Sequence, residues 1–460
     1  MNTILKIYCK MINEICFLSA TELINKLKSK EISVKDVVNS CLTRIKEVDS
    51  KIHAWVYLDK DLSLKKAEEI DFKIKEGTAG KFFGIPVGVK DIFNTEDMPN
   101  QMGSIIWKGY MPGNDARSVF NLKQEDALVL GKTVTAEFAV HAEGETLNPH
   151  NPKYSPGTSS SGSAVAVASY MVPLALGTQT GGSIIRPASY NGIYGMKPTF
   201  GLIPRTGILK TTDTLDTVGF FARTVEDLEL LFENIRLKGH NYPNINTFLE
   251  DESRQKSKEV WKVALVKSYV WGEAEKYAQE ALLNFSEEIS KNENIELIEV
   301  DLPKDFEEIH DIHTLIYDKT LSYYFNNEFK NDKDKLSDII HEIISRGNKI
   351  NFEEYKNALK KQTIRSNELD KSFKDYDTIL TLSTSGHAPK KGVIEKKDTS
   401  LIWTFCGNPT INLPVFESPN GLPFGAQIVA RKYNDYLLLN FAKFLKKERY
   451  IKDGTNPDIK

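Results

Sequence analysis

The sequence predicts an α/β protein in which a large mixed β-sheet core is surrounded by helices. Three observations indicate this class. Strand-like and helix-like segments alternate over residues 125–180, strand-like segments return after residue 260, and long polar segments with helical spacing lie between these regions. This βαβ rhythm implies a mostly parallel or mixed sheet that is buried on both faces.

Two helices are predicted near the start, over residues 20–48. Ser19 or Thr21 is suited to cap the first and Ser33 the second, because their hydroxyl oxygens can accept a hydrogen bond from a first-turn N–H. Residues 84–93, GIPVGVKDIF, are apolar and β-rich apart from one lysine and one aspartate. They predict a strand that enters a turn.

The rest of the domain follows from the same patterns. ALVLGKTV and VPLALGT predict strands on either side of a small-residue helix, SGSAVAVASYM. Residues 18–235 are therefore expected to form the core, and residues 236–375 a mostly helical insertion or cap with one strand, WKVALVKS. Residues 376–447 return to the core sheet through YDTILTLS, NPTINLPV and FGAQIVA, and end on an amphipathic helix.

Composition limits the classes of partner. The chain has 460 residues, and 60 Lys+Arg against 63 Asp+Glu give a formal net charge of -3. This balance argues against a dominant nucleic-acid or anionic-membrane surface, which would need concentrated positive charge. The four cysteines form no CxxC pair and no metal-type spacing with histidines, so we expect no metal site and a reducing, cytoplasmic location.

The N-terminal segment does not resemble a signal peptide. Its apolar start is interrupted by four polar residues, Lys6, Lys10, Asn13 and Glu14. A signal peptide needs an unbroken apolar stretch after its basic start. Residues 1–17 are therefore predicted to be a loose extension of a single domain over residues 1–460, and we expect no membrane span.

Residues 155–188 hold two loops rich in Gly, Ser and Thr. Small residues allow tight turns and let successive N–H groups face one point. The second loop consists of Thr180, Gly181, Gly182 and Ser183, just before a predicted helix. Its N–H groups are suited to stabilise the oxyanion of an acyl transfer, with Ser183 as the attacking hydroxyl.

Two other interpretations of these loops stay open. One is a flexible linker, although strongly apolar strands and helices on both sides argue against it. The other is a phosphate-binding turn, although the P-loop pattern GxxxxGK[ST] is absent. Composition alone does not decide between these interpretations and catalysis.

A serine nucleophile needs a base. The nearest histidines, His141 and His150, lie in a polar loop and are expected to be solvated. Lys90 has the most apolar surroundings of any lysine in the chain, VGVKDIF, and burial lowers the pKa of a lysine from its ordinary value of about 10.4. The alternatives are an ion pair with Asp91 or a side chain that extends to the surface.

Together these segments resemble the amidase signature family, whose members hydrolyse carboxamides or serve as amidotransferase subunits. GIPVGVKDIF is similar to the family's lysine strand, and SPGTSSSGSA to its first serine loop. GTQTGGSIIRPASYNGIYGMKPTFG is similar to its nucleophile loop, and DTLDTVGFFARTVEDL also matches. The resemblance extends more weakly from about residue 18 to about residue 447.

The resemblance implies a triad of Lys90 as base, Ser159 as bridging serine and Ser183 as nucleophile. The two serines are 24 residues apart, the usual interval in the family, which selects Ser159 over Ser160 and Ser161. A cis peptide bond before Ser159 and a supporting role for Ser160 are also implied. The oxyanion hole is implied at the N–H groups of four residues, Thr180, Gly181, Gly182 and Ser183.

The implied reaction is hydrolysis of the C–N bond of a small carboxamide, through an acyl-enzyme, to a carboxylate and ammonia or an amine. It needs no cofactor and no metal. The alternative is the A subunit of a glutamine-dependent tRNA amidotransferase, although WTFCGNPTINLPV is more similar to free-standing amidases. The expected partner is a small-molecule amide, with no nucleic acid and no membrane, and a homodimer is compatible with the sequence.

Two departures from the common family pattern surround Ser183. Gln179 replaces an aspartate, and Ile185 takes an arginine position while the arginine stands at Arg186. Both changes are similar to an amidase subgroup with TQTGGSIIRPA, so no Asp–Arg support pair is expected within this loop. Thr158 stands where many members have glycine.

The substrate is not readable from the sequence. Residues 305–375 are predicted to lie over the pocket, where three tyrosines either line it or pack as ordinary aromatics: Tyr317, Tyr323 and Tyr324. Four further residues lie in loops that are predicted to approach it: Gly386, His387, Trp403 and Cys406.

Overall fold

The structure is a computed structural model, and it describes residues 14–239, 241–393, 396–454, 457 and 459. Most of the predicted N-terminal extension, residues 1–13, lies outside the described residues.

Eleven strands of the described residues form one sheet. They are β1 (Trp55–Leu58), β2 (Pro86–Lys90), β3 (Leu128–Thr133), β4 (Leu174–Gln179), β5 (Tyr194–Lys197), β6 (Thr217–Ala222), β7 (Trp261–Leu265), β8 (Ile295–Glu299), β9 (Thr378–Leu382), β10 (Thr410–Glu417) and β11 (Pro423–Ala430). The order across the sheet is β1-β3-β2-β4-β6-β5-β10-β11-β9-β7-β8.

Helices surround this sheet. In chain order they are α1 (Ala20–Lys28), α2 (Val34–Ile52), α3 (Lys60–Glu76), α4 (Arg117–Gln124), α5 (Ser161–Ala168), α6 (Ile185–Tyr190), α7 (Val225–Ile235), α8 (Glu252–Gln255), α9 (Lys276–Ser290), α10 (Ile309–Tyr324), α11 (Asn326–Asn331), α12 (Asp338–Lys349), α13 (Phe352–Ser372), α14 (Leu401–Phe405) and α15 (Asp435–Lys447).

The sheet is mixed, which confirms the predicted α/β class. Strand β2 pairs in parallel with β3 and β4, and β7 pairs in parallel with β8 and β9. The strands between these two parallel groups, from β4 to β9, pair antiparallel. Strands β9, β10 and β11, from the late part of the chain, lie next to strands from its first and middle parts.

Local sequence explains the first helices. The Ser19 hydroxyl caps α1 and the Ser33 hydroxyl caps α2, and in both cases the acidic side chain three residues later accepts from the cap N–H. Such reciprocal capping satisfies two N–H groups that a helix start otherwise leaves unpaired. Both predicted caps are confirmed.

The parallel strands and α5 place the serine loops. Every residue of β2, β4 and α5 is buried, and the small side chains of α5 let it pack closely on β4 and β2. Because β2 and β4 are parallel, their carboxyl ends meet at one edge of the sheet. Lys90 and Gln179, the last residues of these strands, therefore lie at the same edge.

In the described part of the chain, no helix is both long enough and apolar enough to cross a membrane.

Candidate active site

Lys90 ends β2, and its side chain is fully buried. Its Nζ lies within hydrogen-bond distance of three hydroxyls, at 2.8 Å from Ser159 Oγ, 3.0 Å from Ser160 Oγ and 3.0 Å from Thr178 Oγ1. Among the described residues, no carboxylate forms an ion pair with Lys90. The amine therefore lies in a buried group of neutral hydroxyls.

Asp91 does not partner Lys90. Its carboxylate lies 3.2 Å from Lys132 Nζ, and it also accepts hydrogen bonds from the N–H of Gln101. Consecutive side chains of an extended chain point to opposite sides, which separates Lys90 from Asp91. The alternative of a Lys90–Asp91 ion pair is therefore wrong.

The environment of Lys90 favours its neutral form. Burial lowers the pKa of Lys90 well below its ordinary value, and the carboxylate of Asp216 opposes this effect. Desolvation disfavours the ammonium, while three hydroxyls compensate only part of the hydration that it loses. A neutral amine can accept a proton, which is what the predicted role as base requires.

The first serine loop is fixed on both sides of Ser159. The Ser159 carbonyl accepts from Thr135 Oγ1 at 2.9 Å, and Ser160 Oγ donates to the Thr178 carbonyl at 3.1 Å. Ser160 then begins α5 as its cap residue. The structure thus brings Ser159 and Ser160 together at Lys90, as the sequence predicted, and leaves Ser161 away from the amine.

The expected cis peptide bond before Ser159 is wrong for this structure. Every peptide bond of the described residues is trans, including that bond. Trans is the lower-energy form for a non-proline residue, and here it is compatible with both serine contacts to Lys90. Within the described residues, Ser183 makes no hydrogen bond with Ser159, so the structure contains the Lys90–Ser159 half of the predicted triad.

The second loop, residues 180–183, connects β4 to α6. Gln179 fixes its two ends, because its Oε1 accepts from the N–H of Ile184 at 2.7 Å and of Ile185 at 2.9 Å. Its Nε2 donates to Thr404 Oγ1 at 2.8 Å, and that hydroxyl donates to the Gly181 carbonyl at 2.6 Å. An aspartate at this position would have no N–H to donate, so glutamine links the loop to α14.

Two more contacts hold Thr180. Its carbonyl accepts from His313 Nε2 at 2.8 Å, which assigns the proton of that imidazole to Nε2. Its hydroxyl donates to Asp216 at 2.8 Å, and Asp216 also accepts from the N–H groups of Thr211 and Thr212. Within the described residues, no hydrogen bond uses the N–H groups of residues 180–183.

Arg186 has a partner that sequence spacing did not indicate. Its Nη1 lies 3.5 Å from Asp398 Oδ2, and both side chains are largely buried. The Asp398 carboxylate also lies directly against Gly182, where any Cβ atom would collide with it. The carboxylate beside the nucleophile loop therefore comes from a segment more than 200 residues away, and a side chain at position 182 would have to displace it.

Ser183 opens into a cavity of about 210 Å³, which we call the nucleophile cavity. Its walls include residues 180–183, the Arg186–Asp398 pair, and side chains of α10 and α12, among them Tyr317, Asp318 and Arg346. Arg346 is paired with Asp318 at 2.7 Å. Side chains from residues 305–375 thus contribute to the walls of this cavity.

Of the three tyrosines considered, only Tyr317 lines the nucleophile cavity. Tyr323 is exposed, and Tyr324 donates to Asp213 at 2.9 Å. Gly386 and His387 line a separate cavity on the other side of the Arg186–Asp398 pair. Trp403 and Cys406 are buried in a hydrophobic cluster and line neither cavity.

His141 was expected to be solvated, and it is exposed in the structure. The structure places it in the wall of the nucleophile cavity, with its ring 5.8 Å from that of Tyr317. Burial lowers the pKa of His313, another residue of this wall, to about 4. The His313 imidazole is therefore neutral at neutral pH.

No group of three or more His, Cys, Asp or Glu side chains in the part of the chain that the structure describes is arranged to hold a metal ion.

Comparison with known proteins agrees with this geometry. A family model described as Amidase matches residues 36–439. A glutamyl-tRNA(Gln) amidotransferase subunit of Clostridium acetobutylicum is 33% identical over 479 residues, which cover 93% of this chain and 96% of that protein.

Solved structures are similar in fold. A crystal structure of an amidase superposes with a TM-score of 0.83 at 24% identity, covering 94% of this chain and 100% of the other. The native peptide amidase from Stenotrophomonas maltophilia gives 0.81 at 23% identity, covering 96% and 98%. Since the family model spans most of the chain, this protein belongs to the amidase family, the amidase signature enzymes, and is a serine amidohydrolase.

Proposed function

We propose that the protein hydrolyses the C–N bond of a small carboxamide, with Ser183 as nucleophile, Ser159 as proton relay and Lys90 as base. One observation carries this assignment. Lys90 is fully buried without a carboxylate partner among the described residues, and its amine lies 2.8 Å from Ser159 Oγ. A lysine in such surroundings is suited to accept a proton, which an ordinary surface lysine at neutral pH is not.

The reaction begins with proton transfer. Neutral Lys90 takes the proton of Ser159 as Ser159 takes that of Ser183, and Ser183 Oγ bonds to the amide carbon. The relay needs Ser183 to turn toward Ser159, a rotamer change of the kind that substrate binding brings about in many apo sites. The N–H groups of Thr180, Gly181, Gly182 and Ser183 then stabilise the oxyanion.

The second half releases the products. The proton held by Lys90 returns through Ser159 to the leaving nitrogen, the C–N bond breaks, and ammonia or an amine departs. Water repeats the sequence on the acyl-enzyme, giving its proton to the relay and freeing the carboxylate and Ser183. Ser160 supports this path, because it contacts Lys90 and also donates to the Thr178 carbonyl.

The assignment of segments follows the same proposal. Residues 18–235 supply the three catalytic groups, and residues 236–375 act as a cap, because α10 and α12 contribute walls of the nucleophile cavity. Cys41 and Cys406 are buried free thiols, which is consistent with a reducing, cytoplasmic location. Self-association into a homodimer stays a prediction.

A second candidate is the A subunit of a glutamine-dependent tRNA amidotransferase. It is favoured by one observation, the similarity to the Clostridium acetobutylicum amidotransferase protein, which covers almost the whole of both chains. The sequence WTFCGNPTINLPV, which is more similar to free-standing amidases, favours the first candidate. Activity that appears only with partner subunits and tRNA would select the second.

The test is a mass-spectrometric screen of amides with three purified proteins: wild type, Ser183→Ala and Ser161→Ala. Ser161 is a matched control, because its buried hydroxyl has no hydrogen-bond partner among the described residues. We expect hydrolysis and fluorophosphonate labelling in the wild type and in Ser161→Ala, and neither in Ser183→Ala. Labelling of Ser183→Ala at the wild-type stoichiometry would remove Ser183 from the mechanism.

A further inference from the structure

A second cavity adjoins the nucleophile cavity. It measures about 300 Å³, and most of its exposed wall is apolar, with contributions from Ile92, Ile208, Leu209 and Val218 beside five threonines and three charged residues. We call it the apolar cavity. It shares two wall residues with the nucleophile cavity, Ala139 and Thr180. The two cavities thus meet at the loop that carries Ser183.

Hydrogen bonds and packing fix Thr180 and Ala139, the two wall residues that the cavities share. Thr180 is tied to Asp216 and His313 by the hydrogen bonds described above. Phe138 and Ala139 both adopt left-handed backbone conformations, with φ of 47° and 58°. Such conformations are costly for residues other than glycine and persist only where the surroundings enforce them. Here the Phe138 ring stacks on Phe325 at 4.5 Å, which fixes the turn that presents Ala139.

The charged groups at the apolar cavity already have protein partners. Arg205 donates to the Thr212 carbonyl at 3.1 Å and lies 3.8 Å from Asp216. Lys210 is paired with Asp213. An incoming ionic group would compete with these partners, whereas an apolar group would only displace water from an apolar wall.

We propose that the apolar cavity binds an uncharged alkyl or aryl arm of the amide substrate while the scissile bond lies at Ser183. This inference rests on the proposed function and adds a substrate class to it. The volume is sufficient, because an apolar cavity of about 150 Å³ already accommodates benzene. The nucleophile cavity, with its Arg186–Asp398 and Arg346–Asp318 pairs, is left for the polar part of the substrate.

The first test needs only the wild type. Two series of amides are compared by kcat/KM: primary amides with lengthening acyl chains, and acetamides with lengthening N-alkyl groups. In one of them we expect about a fourfold rise for each added methylene until the apolar cavity is full. A flat response in both series would overturn the inference. Ser183-dependent hydrolysis of the short amides in the same assay would nevertheless retain the proposed function.

The second test fills the cavity. Ile208→Trp places an indole in the apolar cavity, and we expect the ratio of kcat/KM for the longest and shortest amides to fall at least about tenfold, since more than one methylene site is lost. Ile32→Trp is the matched control, a half-buried isoleucine that lines neither cavity, and it should keep the wild-type ratio. An unchanged ratio in folded Ile208→Trp would contradict the assignment.

Discussion

Two lysines lie on neighbouring strands of the sheet, and both are fully buried, yet their surroundings differ. Lys132 on β3 lies 3.2 Å from the Asp91 carboxylate and donates to the carbonyl oxygens of Phe93 and Pro99. Lys90 on β2 has three hydroxyls around its amine and no ion-pair partner in the described part of the chain.

This difference separates a lysine with a structural ion pair from the lysine that we propose as the base. Burial lowers the pKa of both amines, but Asp91 opposes the effect at Lys132 by direct contact, whereas Asp216 acts on Lys90 without an ion pair. Lys132 can therefore hold its proton and stabilise the fold. Lys90 can lose its proton and act as a base. Burial alone does not make a base; the absence of a contacting carboxylate is also required.

Replacing each lysine by methionine tests this contrast, and the largest effect is expected on turnover. Lys90→Met should lower kcat by about 10⁴-fold, near the upper end of what a general base contributes. Lys132→Met, measured per folded molecule, should lower kcat by less than about tenfold, because it removes no proton acceptor. Steady-state kinetics on a reactive amide distinguishes the two. Comparable losses of kcat in both variants would contradict the different roles assigned to the two lysines.

The order of the two variants should be reversed when the free energy of unfolding is measured instead of turnover. Lys132→Met leaves the Asp91 carboxylate buried without its cation, which should cost about 3–5 kcal/mol of the free energy of unfolding. Lys90→Met removes an amine without an ion-pair partner among the described residues and should be neutral or stabilising. Urea unfolding measures both, and the double variant with Asp91→Asn should recover part of the loss. Equal destabilisation by both single variants would contradict the account.

Replacing His313, which supports the nucleophile loop, should have a smaller effect on turnover than replacing Lys90. His313→Ala removes the donor to the Thr180 carbonyl, so kcat should fall by about tenfold, less than the 10²–10³-fold of a direct oxyanion donor. KM should change less, and the pH profile should keep its shape, since burial already lowers the pKa of His313 to about 4. His341→Ala, at a half-buried histidine that lines neither cavity, is the control. A shifted pH profile would assign His313 a proton-transfer role instead.

Much of this arrangement could be predicted from sequence because it is local. The caps of α1 and α2, strands β2 to β4 and the two serine loops depend on residues within a few positions of one another. The contact of Lys90 with Ser159 and Ser160 followed from family resemblance. The cis bond inferred in the same way is absent from the described residues.

The supports of the nucleophile loop could not be predicted, because they come from distant segments. His313 and Thr404 contact residues 133 and 223 positions earlier, and no spacing rule connects them. Asp398 reaches Arg186 and Gly182 in the same way. The choice between Asp91 and the hydroxyls as partners of Lys90 also needed the structure, because it depends on where β2 ends and which side each residue then faces.

The rate of Ser183 labelling by a fluorophosphonate, measured against pH, tests the central claim most directly. The label reacts with the nucleophile itself, so it reports base strength without a dependence on amide choice. Since only neutral Lys90 can accept a proton, the wild-type rate should rise with pH and level off below the ordinary lysine pKa of about 10.4. Lys90→Met should label far more slowly and lose this rise. A wild-type rate and profile in Lys90→Met would contradict the assignment of Lys90 as the base.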